Sequence, residues 1–355
     1  MTMPTGVIAR PAGLLPDGSE VTEYLLDAGA GVTMSVLNLG GVVTALSCPG
    51  RDGDCANVVL GLANVHDHVG VARNFGSLVG RYAGRIAKGR FLLDGQAVQL
   101  ACNEGDNTLH GGPLGFGTRL WAVTPVADSA DGSVAVDLAL TSEHGDQGFP
   151  GRMDVRVRYT LTRNAEWRID YHATTDQPTV INLTHHVYWN MAGGGSVARH
   201  RLQLPASRYV AVDADLLPRA VEPVAGTPMD FRSPKPIGQA WREPHPQVCI
   251  GRGFDHHFVL DREPGGLALA ARLEDPASGR VLEIETTEPG VQFYSGNFLN
   301  GSLPARHGLL RQGDGLCLET QHMGDSPNRP EEPSTVLRPG EVYASTTVHR
   351  FSVAA

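Results

Sequence analysis

Cysteine is scarce in this chain of 355 residues: five occur, at Cys48, Cys55, Cys102, Cys249 and Cys317, with no C-x-x-C pair. An odd, scattered set argues against a disulfide framework and a structural zinc site, and fits free thiols in a reducing compartment. Positive charge is also short. Lys and Arg total 29 against 38 Asp and Glu, a net charge of −9, so a basic stripe for nucleic acid is not expected. No apolar run approaches the ~20 residues of a membrane-spanning helix. Met1 to Leu15 lacks the basic segment and apolar stretch of a secretory signal. These absences lead to the expectation of a cytoplasmic protein with neither a nucleic-acid nor a membrane partner.

Motifs of several enzyme classes are missing too. There is no G-x-S-x-G elbow and no Walker A loop, which removes the hydrolase-elbow and P-loop readings. Gly193-Gly194-Gly195-Ser196-Val197-Ala198 fits G-x-G-x-x-A in form. Yet Arg199 to Pro205 alternates like a strand, where a dinucleotide fold needs a helix. His66-x-His68 has the spacing of two ligands on one strand face, for which a solvated loop is the usual explanation. No metal and no cofactor are expected. Helical periodicity is also lacking: no window of a dozen residues carries an apolar stripe at 3.6 spacing.

What the chain does have is period two. Met153, Val155, Val157, Tyr159 and Leu161 alternate with Asp154, Arg156, Arg158 and Thr160. After the polar turn Arg163-Asn164-Ala165-Glu166, the residues Trp167, Ile169 and Tyr171 alternate with Arg168, Asp170 and His172. This predicts a β-hairpin with one buried face. Val134 to Leu140, Leu267 to Leu273, and Leu282 with Ile284 repeat the pattern. With Gly 43 and Pro 24 supplying turns, the expectation is an all-β sandwich or barrel forming a single domain over 1–355. The proline-rich stretches Pro218 to Pro236 and Pro327 to Pro339 keep apolar anchors such as Met229, Phe231 and Leu337, and are expected to be ordered loops.

Polar groups gather in a few segments: Val79 to Ile86 with Arg81 and Arg85, Asn107 to Gly112 with His110, and Asn182 to Asn190 with His185 and His186. Phe254 to Phe258 holds Asp255, Val291 to Asn297 holds Gln292, and Leu318 to His322 holds Glu319. Neutral sugars need many hydroxyl-directed donors and acceptors beside aromatic faces, which this inventory offers. Composition alone stops at a β-rich protein suited to carbohydrate.

In their order along the chain these segments resemble the aldose 1-epimerase (galactose mutarotase) family. The likeness runs from Leu15-Pro16-Asp17-Gly18 through Asn74-Phe75-Gly76, Gly80 to Arg90, Asn107 to Gly112 and Gly148-Phe149-Pro150-Gly151. It continues through Asn182 to Asn190, Gly226 to Phe231, Gly253 to His256, Val291 to Leu299 and Glu319 to Asn328, and ends at Leu337-Arg338-Pro339-Gly340-Glu341. The resemblance implies a large antiparallel β-sandwich with its site in a cleft across one sheet. It also implies catalysis by Glu319 as base and His186 as acid, with Arg85, His110, Asp255 and Gln292 holding sugar hydroxyls. Several positions depart from the pattern. Gly84 replaces a common Asn before the substrate arginine, so one sugar contact is expected to be absent or supplied by water. His185 replaces an Asn, Trp189 a Phe, and Gly324 and Ser326 a Pro and an Ala, while Glu332 sits at an aromatic position. None removes a predicted catalytic group, and several are expected to retune sugar choice.

Mutarotation takes a proton from the anomeric hydroxyl and gives one to the ring oxygen, so that the ring opens, rotates about C1–C2 and closes on the other face. A Glu with an ordinary pKa near ~4.3 is expected to accept a proton without retuning, and a His near ~6.5 to donate to the ring oxygen and recover the proton on closure. Arg85 and His110 are expected to donate hydrogen bonds to oxygen as charge develops. Three alternatives stay open: a non-catalytic sugar binder, a glycoside hydrolase using Asp255 and Glu319, and an epimerase of sugar phosphates served by Arg81, Arg85 and Lys88. The partner is a small sugar, and the assembly a monomer or homodimer.

Overall fold

The computed structural model describes residues 6–354 apart from 71, 73, 127–129, 263–264 and 306–307, so part of the Met1 to Leu15 segment lies outside the described residues. Strands dominate it. Among the described residues the one α-helix is Pro246–Gly251, six residues long, and no helix is long and apolar enough to cross a membrane.

The alternating segments build the middle of a nine-stranded antiparallel sheet. Its order is Ala122–Val126, Val134–Ser142, Met153–Leu161, Glu166–Thr175, Tyr343–Val353, Arg280–Thr286, Ala268–Glu274, Arg201–Gln203, Lys235–Pro236. The predicted hairpin pairs Met153 with Thr175 through to Leu161 with Trp167. Met153, Val155, Val157, Tyr159 and Leu161 are buried, while Arg156 and Arg158 are exposed. Burying each large apolar side chain contributes roughly 1.5–3 kcal/mol. A one-residue slip would reverse the faces and bury the arginines, so the alternation fixes the register.

A second, five-stranded antiparallel sheet runs Pro218–Pro223, Arg208–Val212, Asp255–Val259, Gly290–Tyr294, Cys317–Gln321. Its inner face contributes Tyr209, Phe258, Val291, Phe293 and Leu318 to the hydrophobic cluster that also holds Val136, Val155, Trp167 and Ile169 of the large sheet. An N-terminal meander from Gly6–Leu14 to Cys55–Asn57 adds Leu26, Met34, Val36 and Leu46 to the same cluster. One sheet face in the core and one free to carry polar groups is the arrangement antiparallel sheets permit. The proline-rich stretches are ordered, with Met229, Phe231 and Leu337 buried, but they are not loops throughout: Pro218–Pro223, Lys235–Pro236 and Val336–Leu337 are strands, because proline is tolerated at strand edges and ends.

Two further expectations need correction. Leu267 is 41% exposed, and a register shift between Leu269 and Ala271 buries the neighbours Ala270 and Ala271 together. A bulge adds a residue to one strand, which breaks strict alternation. His66-x-His68 does not lie on a strand face, and only His66 is solvated. It falls in the 3-10 turn Val65–Val69, where the ring of the buried His68 contacts the carbonyl of Phe75 through Nδ1 at 3.2 Å.

Burial of histidines makes the fold acid-sensitive. Desolvation pushes His68 and His186 down to about 4, and His185, His256, His257 and His349 to about 3. The unfolded chain therefore binds protons first, near the ordinary value of ~6.5, so their contribution to stability is present above that pH and is lost as pH falls toward 4. Urea midpoints measured from pH 7.5 to 4 are expected to fall steeply below about pH 6.5. A flat profile over that range would show that these rings titrate in the fold as they do in the free chain.

Candidate active site

On the second sheet, the face turned away from the core is polar because of the same period of two. Asp255 and His257, Gln292 and Tyr294, and Glu319 and Gln321 share it, with His257, Gln292 and Glu319 paired in register across three strands. They floor a cleft of about 340 Å³, a size suited to a small ligand (~300–1,000 Å³ for such sites). Loops supply the walls. Arg85 belongs to the two-residue strand Arg85–Ile86 paired with Thr108–Leu109, and His110 follows the latter. His186 follows Thr184–His185, which pairs with Leu78–Val79. Phe75, Tyr188, Phe298 and Leu299 form an apolar side.

His110 has a left-handed backbone, φ 52, which is uncommon outside glycine and clusters at functional positions. The next residue must be glycine: a Cβ on Gly111 would lie 2.0 Å from the carbonyl oxygen of Gly80. The amide of Gly84 donates to His110 Nδ1 at 3.2 Å, so the neutral ring carries its hydrogen on Nε2.

Glu319 is 2% exposed, and its Oε1 lies 3.8 Å from His186 Nε2. Its Oε2 has no hydrogen-bond partner among the described residues. Burial pushes the Glu319 carboxyl well above its usual range; the nearby Asp255 adds to the rise and Arg85 opposes it. Burial also lowers His186 to about 4. The expectation of a Glu and a His working at ordinary pKa values is therefore overturned, because desolvation disfavours charge on both. Cys317 Sγ sits 3.4 Å from His186 Nδ1, and burial keeps that thiol protonated. The contact occupies Nδ1 and leaves Nε2, the nitrogen facing the carboxylate, free for proton traffic.

Arg85 is fixed by a bidentate pair to Glu104, Nε to Oε2 at 2.6 Å and the terminal nitrogen to Oε1 at 2.9 Å. Burial opposes its charge, but Asp255, Glu104 and Glu319 together hold its pKa above the ordinary value. Gln292 donates to Asp255 Oδ1 at 2.7 Å. Burial raises Asp255, and Arg85 and Gln292 moderate the rise. His110 is driven well below its usual value by burial, then by His186 and Arg85.

All six side chains singled out in the sequence, Glu319, His186, Arg85, His110, Asp255 and Gln292, thus line one cleft. His257 and Gln321 were missed, although each stands two residues beyond a selected carboxylate on the same strand face. Glu104, nineteen residues from Arg85, had no sequence signal. Of the departures from the family pattern, only Gly84 and Gly324 reach the cleft. His185 and Trp189 are core residues packed against Trp167 and do not line the cleft. A phosphate-binding cluster is not assembled either. Arg81 is 1% exposed and spends its guanidinium on Pro150, Gly151, Ser142 and Glu143, while Lys88 points to solvent. His110, His186 and Glu319 offer ligand atoms within 4.8 Å of one another. The 3.8 Å between Glu319 and His186 suits proton transfer through an intervening oxygen.

Comparison with known proteins agrees with this geometry. A family model described as aldose 1-epimerase matches residues 22–350. A galactose mutarotase of Rattus norvegicus is 40% identical over 346 residues, covering 96% of this chain and 97% of its own. The aldose 1-epimerase of Escherichia coli (strain K12) is 38% identical over 342 residues, covering 95% and 97%. The solved galactose 1-epimerase from Lactobacillus acidophilus superposes with a TM-score of 0.86 at 29% identity, covering 98% of this chain and 99% of that one.

Arg81 is expected to behave in experiment as a structural residue. Arg81→Met leaves the Ser142 hydroxyl and several carbonyls without their donor and should cost about 3 kcal/mol or more of stability. Denaturation midpoints check this. A variant as stable as the parent would contradict the structural role given to Arg81.

Proposed function

The chain belongs to the aldose 1-epimerase family, and on that premise we propose that Glu319 and His186 share one travelling proton and pass it through the two oxygens bound to C1 of an aldose. The activity itself is interconversion of α and β anomers. The observation that carries the assignment is the 3.8 Å approach of Glu319 Oε1 to His186 Nε2 inside the sugar-sized cleft. The anomeric and ring oxygens share a single carbon, so an acid and a base only a few ångströms apart serve both.

The proton count closes. In the reactive complex Glu319 is ionised and His186 is an imidazolium, with Nδ1–H directed at Cys317 Sγ. Glu319 takes the proton from O1 as Nε2–H protonates O5, and the C1–O5 bond breaks to give the aldehyde. The pair is then a neutral carboxylic acid beside a neutral imidazole. Burial favours that neutral state, since it raises Glu319 and lowers His186, so the same desolvation that makes the transfer favourable makes the ion pair the less populated arrangement of the proton beforehand. Rotation about C1–C2 and the reverse transfers give the other anomer. Arg85 and the Nε2–H of His110 stabilise negative charge as it develops on oxygen, and Asp255 and Gln292 hold hydroxyls away from C1. The named relatives put galactose first among candidate substrates. A hexose phosphate is disfavoured because Arg81 and Lys88 do not face the cleft.

Polarimetry on freshly dissolved α-D-galactose and α-D-glucose tests the assignment. Glu319→Gln and His186→Asn are each expected to lose about 10²- to 10⁴-fold of the catalysed rate, about 3–5 kcal/mol of barrier. Activity within a few-fold of the parent in either variant rejects its role.

The pH profile gives a second test. The active pair holds one proton, so kcat/KM should fall on the acid side near pH about 4, where His186 takes a second proton, and on the alkaline side where the raised Glu319 gives up the last one. These limbs belong to the pair rather than to either residue. Asp255→Asn removes a charge that raises Glu319, so the alkaline limb should move to lower pH. A limb that stays or moves upward contradicts the electrostatic account.

A further inference from the structure

The two departures that reach the cleft, Gly84 in place of Asn and Gly324 in place of Pro, touch each other at its edge. A Cβ built on Gly84 would lie 3.1 Å from Gly324 Cα and 3.5 Å from Gln321 Nε2. The Gln321 amide therefore occupies the space that a longer side chain at residue 84 would enter. Gln321 stands two residues beyond Glu319 on the strand Cys317–Gln321, so it shares the cleft face with the proposed base. It is 2% exposed, and its Oε1 is buried without a hydrogen-bond partner among the described residues. A buried amide oxygen in that state is costly unless a ligand satisfies it, and a sugar hydroxyl is the chemistry this cleft admits.

We propose that Gln321 is a substrate-binding and specificity-determining residue: its side-chain amide takes over the hydroxyl contact that the absent asparagine at 84 would supply. The proposal rests on the mutarotase reading above. An amide both donates and accepts, so it holds a hydroxyl in either orientation but is left unpaired by a sugar lacking that hydroxyl. Such a site discriminates against one particular deoxy sugar. Gly84, without a side chain, leaves the amide room to reach the ring.

The experiment is a cycle between residue and hydroxyl, using anomerisation of galactose and its 2-, 3-, 4- and 6-deoxy forms by the parent and by Gln321→Leu. The leucine variant is expected to raise KM for galactose about tenfold with kcat within a few-fold. For one deoxy sugar, the one missing the contacted hydroxyl, the substitution should make no difference. Gln321→Met serves the same cycle if the leucine variant does not fold. Gly84→Asn in a Gln321→Ala chain is expected to recover most of the lost KM, because asparagine tolerates the left-handed backbone at this position (φ 78). An unchanged KM, or an equal loss on every sugar, overturns the proposal. A parent chain that accelerates none of these sugars would instead strike the functional reading.

Discussion

The structure turns on a carboxyl and an imidazole buried side by side in a cleft, where neither can easily be charged. Glu319 and His186 are both buried and 3.8 Å apart. In water each would hold its ordinary pKa, and a proton would have little reason to move from the stronger base to the weaker one. Desolvation removes that preference and then reverses it, raising the acid and lowering the imidazole. Arg85 limits the rise at Glu319 and Asp255 increases it, so the balance at the base is set by two further groups in the same cleft. Each of those is tied down in turn, Arg85 by Glu104 and Asp255 by Gln292. Preorganised charge of this kind costs no rearrangement during reaction.

The scaffold supplies this environment by an economical rule. One strand face enters the common hydrophobic cluster and the other carries the chemistry, so Phe258, Phe293 and Leu318 lock the strands that present His257, Gln292 and Glu319. The packing that fixes the register of the core thereby fixes the spacing of the site. The wall residues depend on local devices: a left-handed His110 followed by a glycine that must lack a Cβ, and the thiol of Cys317 behind His186.

Much of this was legible in the sequence where a short period governs it. The hairpin Met153–Leu161 to Glu166–Thr175 followed from alternation alone, and the six site residues followed from motif order. Alternation failed at Leu267 because a bulge is a local insertion that leaves no mark in hydropathy. His68 looked solvated because nothing in a His-x-His step reveals that a 3-10 turn folds one ring inward. The Arg81, Arg85 and Lys88 cluster read as possible phosphate chemistry because linear proximity does not say which side chain turns inward. The shifted pKa values were beyond reach, since burial depends on residues from six or more distant segments.

The central claim is that Glu319 and His186 act as one unit around a single proton, and the sharpest measurement is the rate of the double variant Glu319→Gln/His186→Asn beside each single variant, by polarimetry on α-D-galactose. If the two groups form a unit, the double variant should be no slower than the worse single one, because losing either partner already disables the transfer. Losses that multiply, so that the double variant shows the product of the two single effects, would mean that the groups act independently and would contradict the account.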